Sequence, residues 1–208
     1  DMKCTLYHVL YGTFAMLLFK AAKKKEFVIG TPIITRGIDL SETVGYLTNT
    51  VVIKNKIEDS WTLEKYLEET KIRCAQSVAY NKIPFTDVVS LCEDDLRENR
   101  NPIFDTMFVY ENGEERVNHI ADLGCESVEI PVTQSFFDLS FEVIEEHKKL
   151  EICVSYKTSL YKKQTVQKIV RYYKQLLKEI LQHPEEKVSY FLTDHEEEWN
   201  KLRRQQEA

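Results

Sequence analysis

A chain of 208 residues with 43% apolar and 11% aromatic content can bury a substantial core, as one large domain or two small ones. Its formal net charge of -6 disfavours electrostatic capture of nucleic acid, which needs clustered cations. The most apolar stretch, Leu6 to Ala22, is interrupted by His8, Gly12, Thr13 and Lys20, so neither a membrane span nor a secretory leader is expected.

From Thr5 to Ala22, Leu6, Val9, Leu10, Phe14, Leu17 and Leu18 recur at helical spacing, and other apolar groups fill much of the remaining circumference. This predicts a buried helix. Gly12 inside it costs about 1 kcal/mol relative to alanine, which a close helix contact would offset. Lys20 and Lys23 to Lys25 fall where the helix ends and complement its dipole. Asp1 stands directly before this helix, and the expectation is a piece of a longer chain.

Val28 to Ile53 reads as strand, loop, strand. Val28, Ile29, Ile33 and Ile34 are β-branched, and Gly30 and Pro32 among them predict a bend or a close approach by another backbone. Asp39 and Ser41 can cap a short helical turn, and Gly45 offers tight packing or a positive φ before Tyr46 to Thr50. Val51 to Ile53 form the second run. Trp61 to Glu64 then open a helix with Leu63, Tyr66, Leu67, Cys74 and Val78 inward and Tyr80 to Lys82 at its end. Ile83-Pro84 forces an extended residue, and Phe85 to Leu91 reads as a short helix capped near Thr86.

Glu93 to Asn101 is charged and loop-like, and Pro102 is read as starting a strand from Ile103 to Tyr110 that ends at Asn112-Gly113. A polar stretch from Glu114 to Gly124 and a short strand near Val128 to Val132 follow. Phe137, Leu139, Phe141 and Val143 alternate with polar residues, as do Leu150, Ile152, Val154 and Tyr156, and the Glu145 to Lys149 turn between them predicts an antiparallel hairpin. Thr165 to Gln182 is amphipathic, with Val166, Ile169, Val170, Tyr173, Leu176, Leu177, Ile180 and Leu181 inward, and His183-Pro184 stops it. The tail from Tyr190 to Ala208 has a brief apolar start and a charged run.

The five histidines, His8, His119, His147, His183 and His195, have no neighbour at triad or metal-ligand spacing. The glycines form no phosphate loop. Five scattered cysteines, Cys4, Cys74, Cys92, Cys125 and Cys153, fit reduced thiols in the cytoplasm. Binding candidates remain. Asn49 and Thr50, entering a buried strand, can satisfy local backbone groups or face a ligand. Asp138, with Ser140 beyond it, can pair with Arg100 or Arg36 or lie on a solvated strand face. Asn101-Pro102 can simply initiate a strand.

Taken together and in this order, these stretches resemble the C-terminal half of a nonribosomal peptide synthetase condensation domain. Ile29-Gly30-Thr31-Pro32-Ile33 with Arg36 is similar to that family's strand and loop, and Val44 to Thr50, with Gly45, Asn49 and Thr50, to its glycine, aromatic, Asn-Thr motif. Ile83-Pro84-Phe85 matches its Pro-Phe core. Arg100-Asn101-Pro102-Ile103-Phe104-Asp105, followed by Met107-Phe108, resembles its Arg-Asn-Pro-Leu-Phe-Asp motif, and Phe137-Asp138-Leu139-Ser140 its Phe-Asp-Leu strand. Two differences stand out. Tyr80, Asn81 and Lys82 occupy the place of the family's His-Gln-Asp and Thr86 that of its Glu, and the His-His-x-x-x-Asp-Gly catalytic motif, which belongs to the N-terminal lobe, is absent.

The resemblance implies an α/β fold, a mixed β-sheet flanked by helices, as one lobe of a chloramphenicol-acetyltransferase-like pair. Residues 1–188 would be the C-terminal lobe, and 189–208 a linker towards a downstream adenylation domain. The whole domain would join an upstream acyl thioester to an aminoacyl thioester, both held on the phosphopantetheine of carrier proteins. It implies that this lobe walls the substrate tunnel and holds no catalytic residue of its own. Asn49, Thr50, Asp138 and Ser140 become tunnel candidates and Gly45, Arg100, Asn101 and Asp105 structural ones. No metal, nucleic acid or membrane enters this reading. A non-catalytic binding module and an epimerisation or cyclisation domain of the same superfamily are the alternatives.

Overall fold

The apolar residues of the first helix surround it rather than stripe it, and the fold answers by placing that helix at the centre. A computed structural model describes residues 4–35, 42–92, 101–112, 119–120, 123–124, 128 and 134–193. Helix α1 (Leu6–Ala22) begins at a capping box in which Thr5 and His8 bond to each other's main chain, and ends at Lys23 in the left-handed region, φ 53°. Every residue from Leu10 to Leu17 is buried. One side of α1 meets the sheet, where Phe14 lies 4.7 Å from Phe141 and 5.5 Å from Phe108, ring centre to ring centre. The other sides meet α2 (Leu63–Ala79) and α4 (Lys163–Gln182).

Gly12 is where α2 comes close. A Cβ there would stand 3.1 Å from Leu67 Cδ2, and the Tyr66 hydroxyl donates to the Gly12 carbonyl at 2.6 Å. The close helix contact expected from the sequence is therefore present. From α4, the Tyr173 hydroxyl donates to the Leu10 carbonyl at 3.1 Å.

The sheet has five strands in the order β2, β1, β3, β6, β7. β1 (Glu26–Ile34) and β2 (Thr48–Lys56) pair antiparallel, β1 with β3 (Thr106–Asn112) and β3 with β6 (Leu139–Glu146) pair parallel, and β6 with β7 (Lys149–Tyr156) closes an antiparallel hairpin. Its turn, His147 and Lys148, holds φ at 50° and 60°, the two positive values that a two-residue hairpin turn of this hand requires. Between β3 and β6, β4 (His119–Ile120) pairs with β5 (Leu123–Gly124).

Alternation divides the sheet into two faces. Ile29, Ile53, Phe108, Leu139, Phe141 and Val143 point to α1 and α4 and form the core. Gly30, Val52, Met107 and Ser140 point the other way, where the described residues place no long helix. The outer edge of β2 is sealed by α2, from which Ser77 Oγ donates to the Val52 carbonyl at 2.9 Å and Arg73 Nη1 to that of Lys54 at 3.4 Å.

Several elements differ from the sequence reading. β3 starts at Thr106, not Ile103, because Asn101 Oδ1 accepts from the amides of Ile103 and Phe104 and holds residues 101–104 as a turn. Helix α3 (Phe85–Ser90) is capped by Pro84 and has no side-chain cap, so Thr86 lies inside it. Val78 and Leu181 are exposed and Tyr172 is buried. Gly45 has no positive φ, and a Cβ there would meet no atom within 4 Å, so neither reason given for a glycine at that position operates. Val128 is exposed and outside a strand; residues 129–132, like Asp39, Ser41 and residues 93–100, fall outside the described set. The core also continues past residue 188. In α5 (Val188–Thr193), Val188 and Phe191 are buried, and Lys20 Nζ donates to the Phe191 carbonyl at 3.1 Å.

Gly30 sits under the ring of Phe104, and a Cβ at residue 30 would come within 2.2 Å of that ring. Gly30→Ala should therefore destabilise the chain by about 3 kcal/mol, since a well-packed site relieves such a clash only by moving backbone. Urea titration checks this, and full stability of the variant would contradict it.

His8 tests the cap of α1. Burial, and then the Lys71 ammonium, draw its imidazole below the ordinary histidine value, and its Nδ1 accepts from the Thr5 amide at 3.3 Å. Because its folded pKa is depressed, the cap's contribution is present above the unfolded value of about 6.5 and is lost as pH falls through the folded value. Between pH 7 and 5 the urea midpoint should fall more steeply for the parent than for His8→Gln, which keeps an acceptor at that position. Parallel profiles would contradict the assignment.

Candidate functional site

The face turned away from α1 and α4, uncovered by any long helix among the described residues, is crossed at its end by two straps of chain. In the first, residues 101–105 carry Phe104 back over Gly30, a place only a residue without a side chain leaves open. Phe104 is 2% exposed. Phe85, from the start of α3, lies 5.6 Å from it at a tilt of 55°, and Phe137 stacks on it at 5.2 Å and 21°. The three rings form an aromatic column on this face. Phe137 thus does not continue the core-facing alternation, which begins at Leu139. Gly30 admits a close neighbour, as the sequence predicts, but that neighbour is a ring rather than a backbone.

Asn49 fixes the second strap. Its Nδ2 donates to the carbonyls of Asn81 and Ile83 at 2.8 and 2.7 Å, and its Oδ1 accepts from the amides of Thr50 and Phe85 at 2.9 and 3.2 Å. All four bonds go to main chain, so Asn49 anchors the turn that aims Phe85 at Phe104. Of the two sequence readings, satisfaction of local backbone groups describes these bonds. Thr50 lines a cavity of about 290 Å³ on the outer edge of β2 with Gln76, Tyr80, Ile83, Phe85 and Val88.

At the opposite end of the column, Asp138 is 7% exposed, and Lys157 Nζ donates to its Oδ1 at 2.8 Å. Its amide donates to the Asp105 carbonyl at 2.9 Å, and its carbonyl accepts from the Lys157 amide at 3.1 Å. Asp138 is thus no residue of a solvated face; its described ion pair is with Lys157, whereas the sequence reading named Arg100 or Arg36, and both arginines lie outside the described residues. Ser140 is half-buried on the uncovered face, registered with Met107 and Ser155. The structure brings Asn101, Asp105 and Asp138 together around Phe104. It sets Asn49 and Thr50 at the column's other end, and leaves Gly45 between two fully or nearly exposed residues, Val44 and Tyr46.

Other ionisable groups are tuned by burial. On the uncovered face, desolvation and then the Glu111 carboxylate on the adjacent strand raise Glu142 above the usual carboxylate range. Burial and then a hydrogen bond to Glu145 push Tyr110 up to about 12. Cys74, desolvated beneath α1, rises to about 12 and is inert as a nucleophile at neutral pH. Among the described residues no His, Cys, Asp or Glu group could hold a metal ion. Three of the histidines have structural places: His8 caps α1, His147 turns the hairpin and His183 ends α4. What this face offers is shape, an aromatic wall with a partly buried ion pair and two hydroxyl groups beside it. Lys157 was missed in the sequence because a lysine just after a strand has no signal of its own; only the fold brings it to Asp138.

A sequence model of the condensation-domain family matches residues 1–202. The chain is 31% identical over 188 residues to gramicidin S synthase 2 of Brevibacillus brevis, covering 89% of this chain and 4% of that protein. It is 30% identical over 177 residues to bacitracin synthase 1 of Bacillus licheniformis, covering 85% and 3%. It thus spans a small fraction of these relatives. Among solved structures, a four-domain nonribosomal peptide synthetase bound to AMP and glycine superposes with a TM-score of 0.83 at 22% identity, covering 94% of this chain and 16% of that one. The condensation domain of the monacolin K polyketide synthase superposes at 0.79 and 17% identity, covering 90% and 44%. The X-domain from teicoplanin biosynthesis does so at 0.80 and 16%, covering 90% and 44%. At these identities the structures share the fold.

Asn49→Ala should lose about 3 kcal/mol, because four main-chain groups lose a half-buried partner. The amides of residues 81–90 should then exchange with solvent sooner than the core strands do. Unchanged exchange in that segment would show that Asn49 does not anchor it.

Proposed function

The chain belongs to the condensation-domain family, and we propose that it is the C-terminal lobe of such a domain in a nonribosomal peptide synthetase. The observation that carries this is one of size. The chain aligns over 90% of its own length with 44% of a condensation-domain structure, which is the span of one lobe of two. The whole domain forms an amide between an acyl or peptidyl group and an aminoacyl group, both thioesters on the phosphopantetheine of partner carrier proteins. The lobe's part is to wall the tunnel with its uncovered face. Thr50 and Ser140 line that wall, Asn49 and Asp138 hold it, and the catalytic histidine comes from the N-terminal lobe, the chain's first partner. Residues 189–208 are the linker towards a downstream adenylation domain, and its first turn, in α5, still packs on the core. The site of action is the cytoplasm, where thiols such as Cys4, Cys74, Cys92 and Cys153 stay free.

A second reading is a binding module without catalysis. It is favoured by one observation, that an X-domain of the same fold was solved in complex with OxyB.

Single-turnover incubation with loaded donor and acceptor carriers separates the readings. The intact protein should form the amide. The 208-residue chain alone should not exceed the uncatalysed rate, since the acid/base and charge-stabilising groups that supply rate lie elsewhere. Product from the chain alone would overturn the assignment of catalysis to the other lobe. An intact protein that binds carriers and makes no amide would establish the binding module.

A further inference from the structure

We propose that Lys157 is a positioning residue of the uncovered face, holding Asp138 and through it the Phe104–Phe137 stack where the tunnel wall needs it. The inference rests on the reading of that face as a wall. Phe137 immediately precedes Asp138, and Phe104 immediately precedes Asp105. The Asp138 amide is bonded to the Asp105 carbonyl, so the two ring-bearing segments are joined one residue beyond their rings. Lys157 then closes the joint from the end of β7, with its amide on the Asp138 carbonyl at 3.1 Å and its ammonium on the carboxylate at 2.8 Å.

Burial makes that second contact matter. The Asp138 side chain is 9% exposed and that of Lys157 25%, so the carboxylate lies beneath and the ammonium at the rim. A carboxylate so shielded needs a cation nearby, and removing one partner of such a pair is far more costly than replacing both by neutral groups. The pair also has a direction. The lysine stem runs from the end of β7 to the start of β6, and its length sets how Phe137 enters the sheet. Where a reacting group is seated against a wall, a displacement of about 1 Å can cost up to about a hundredfold in rate.

The test uses the intact protein with Lys157→Met, Lys157→Arg and the doubly neutral Asp138→Asn with Lys157→Met. Amide formation from loaded carriers is followed, together with the fluorine resonance of 4-fluorophenylalanine placed at position 137. Lys157→Met should lower kcat at least about tenfold, with the KM for carriers unchanged, and should move the resonance. Lys157→Arg should restore both, and the double variant should recover part of the rate, as coupled neighbours do. Full kcat in Lys157→Met, or a loss no larger than its unfolded fraction with the resonance unmoved, would overturn the proposal. An intact parent that forms no amide sinks the functional reading instead, and the resonance alone then decides whether Lys157 holds the stack.

Discussion

The contact of the Phe104 ring with the main chain at Gly30 sets the rest of this face. A side chain at residue 30 would need the space the ring already fills, with a Cβ 2.2 Å from it. Because the ring lies there, the strap before β3 must fold back across the sheet rather than run straight into it. Phe85 and Phe137 then have a ring to pack on. Aromatic contacts of this kind add roughly 0.5–1.5 kcal/mol each beyond burial. Polar groups hold the outer members in place, Asn49 behind Phe85 and the Asp138–Lys157 pair behind Phe137.

The other face obeys a different rule. There α1 is buried on nearly all sides, and the sheet, α2 and α4 close over it. Its interior hydroxyl groups are paired. Thr13 bonds back to Val9 at 2.7 Å, Tyr11 meets Asn55 at 3.1 Å, and Tyr66 and Tyr173 reach the carbonyls of α1 itself. One face is therefore a finished core, held by apolar area and paired hydroxyls. The other is a shaped surface whose stabilising parts sit at its two ends.

Much of the fold was legible in the sequence because its signals are periodic. The strand pair around Gly30, the hairpin through Glu145, and the helices from Leu6, Leu63 and Lys163 all follow from alternation or helical spacing. Gly12 was legible too, as a glycine whose cost had to be met by a contact. The misses share a cause. Asn101 makes a local turn that delays β3, and Phe137 and Asp138 leave the strand pattern before it starts, so position along the chain did not say which way they face. Lys157 carried no pattern at all, since its partner is 19 residues away across a hairpin. Gly45 shows the reverse error, a glycine read as structurally required that meets open space.

The central claim is that the uncovered face, and not the helical one, meets the pantetheine-borne substrate. The most direct measurement is capture of a carrier whose pantetheine bears a thiol-reactive chloroacetyl group, with Ser140→Cys and Glu64→Cys in the intact protein compared against the parent. Ser140 lies on the uncovered face and Glu64 on the exposed side of α2. The account predicts a cross-link at residue 140 well above the parent background and none at residue 64. Equal capture at both positions, or capture at residue 64 alone, would contradict it.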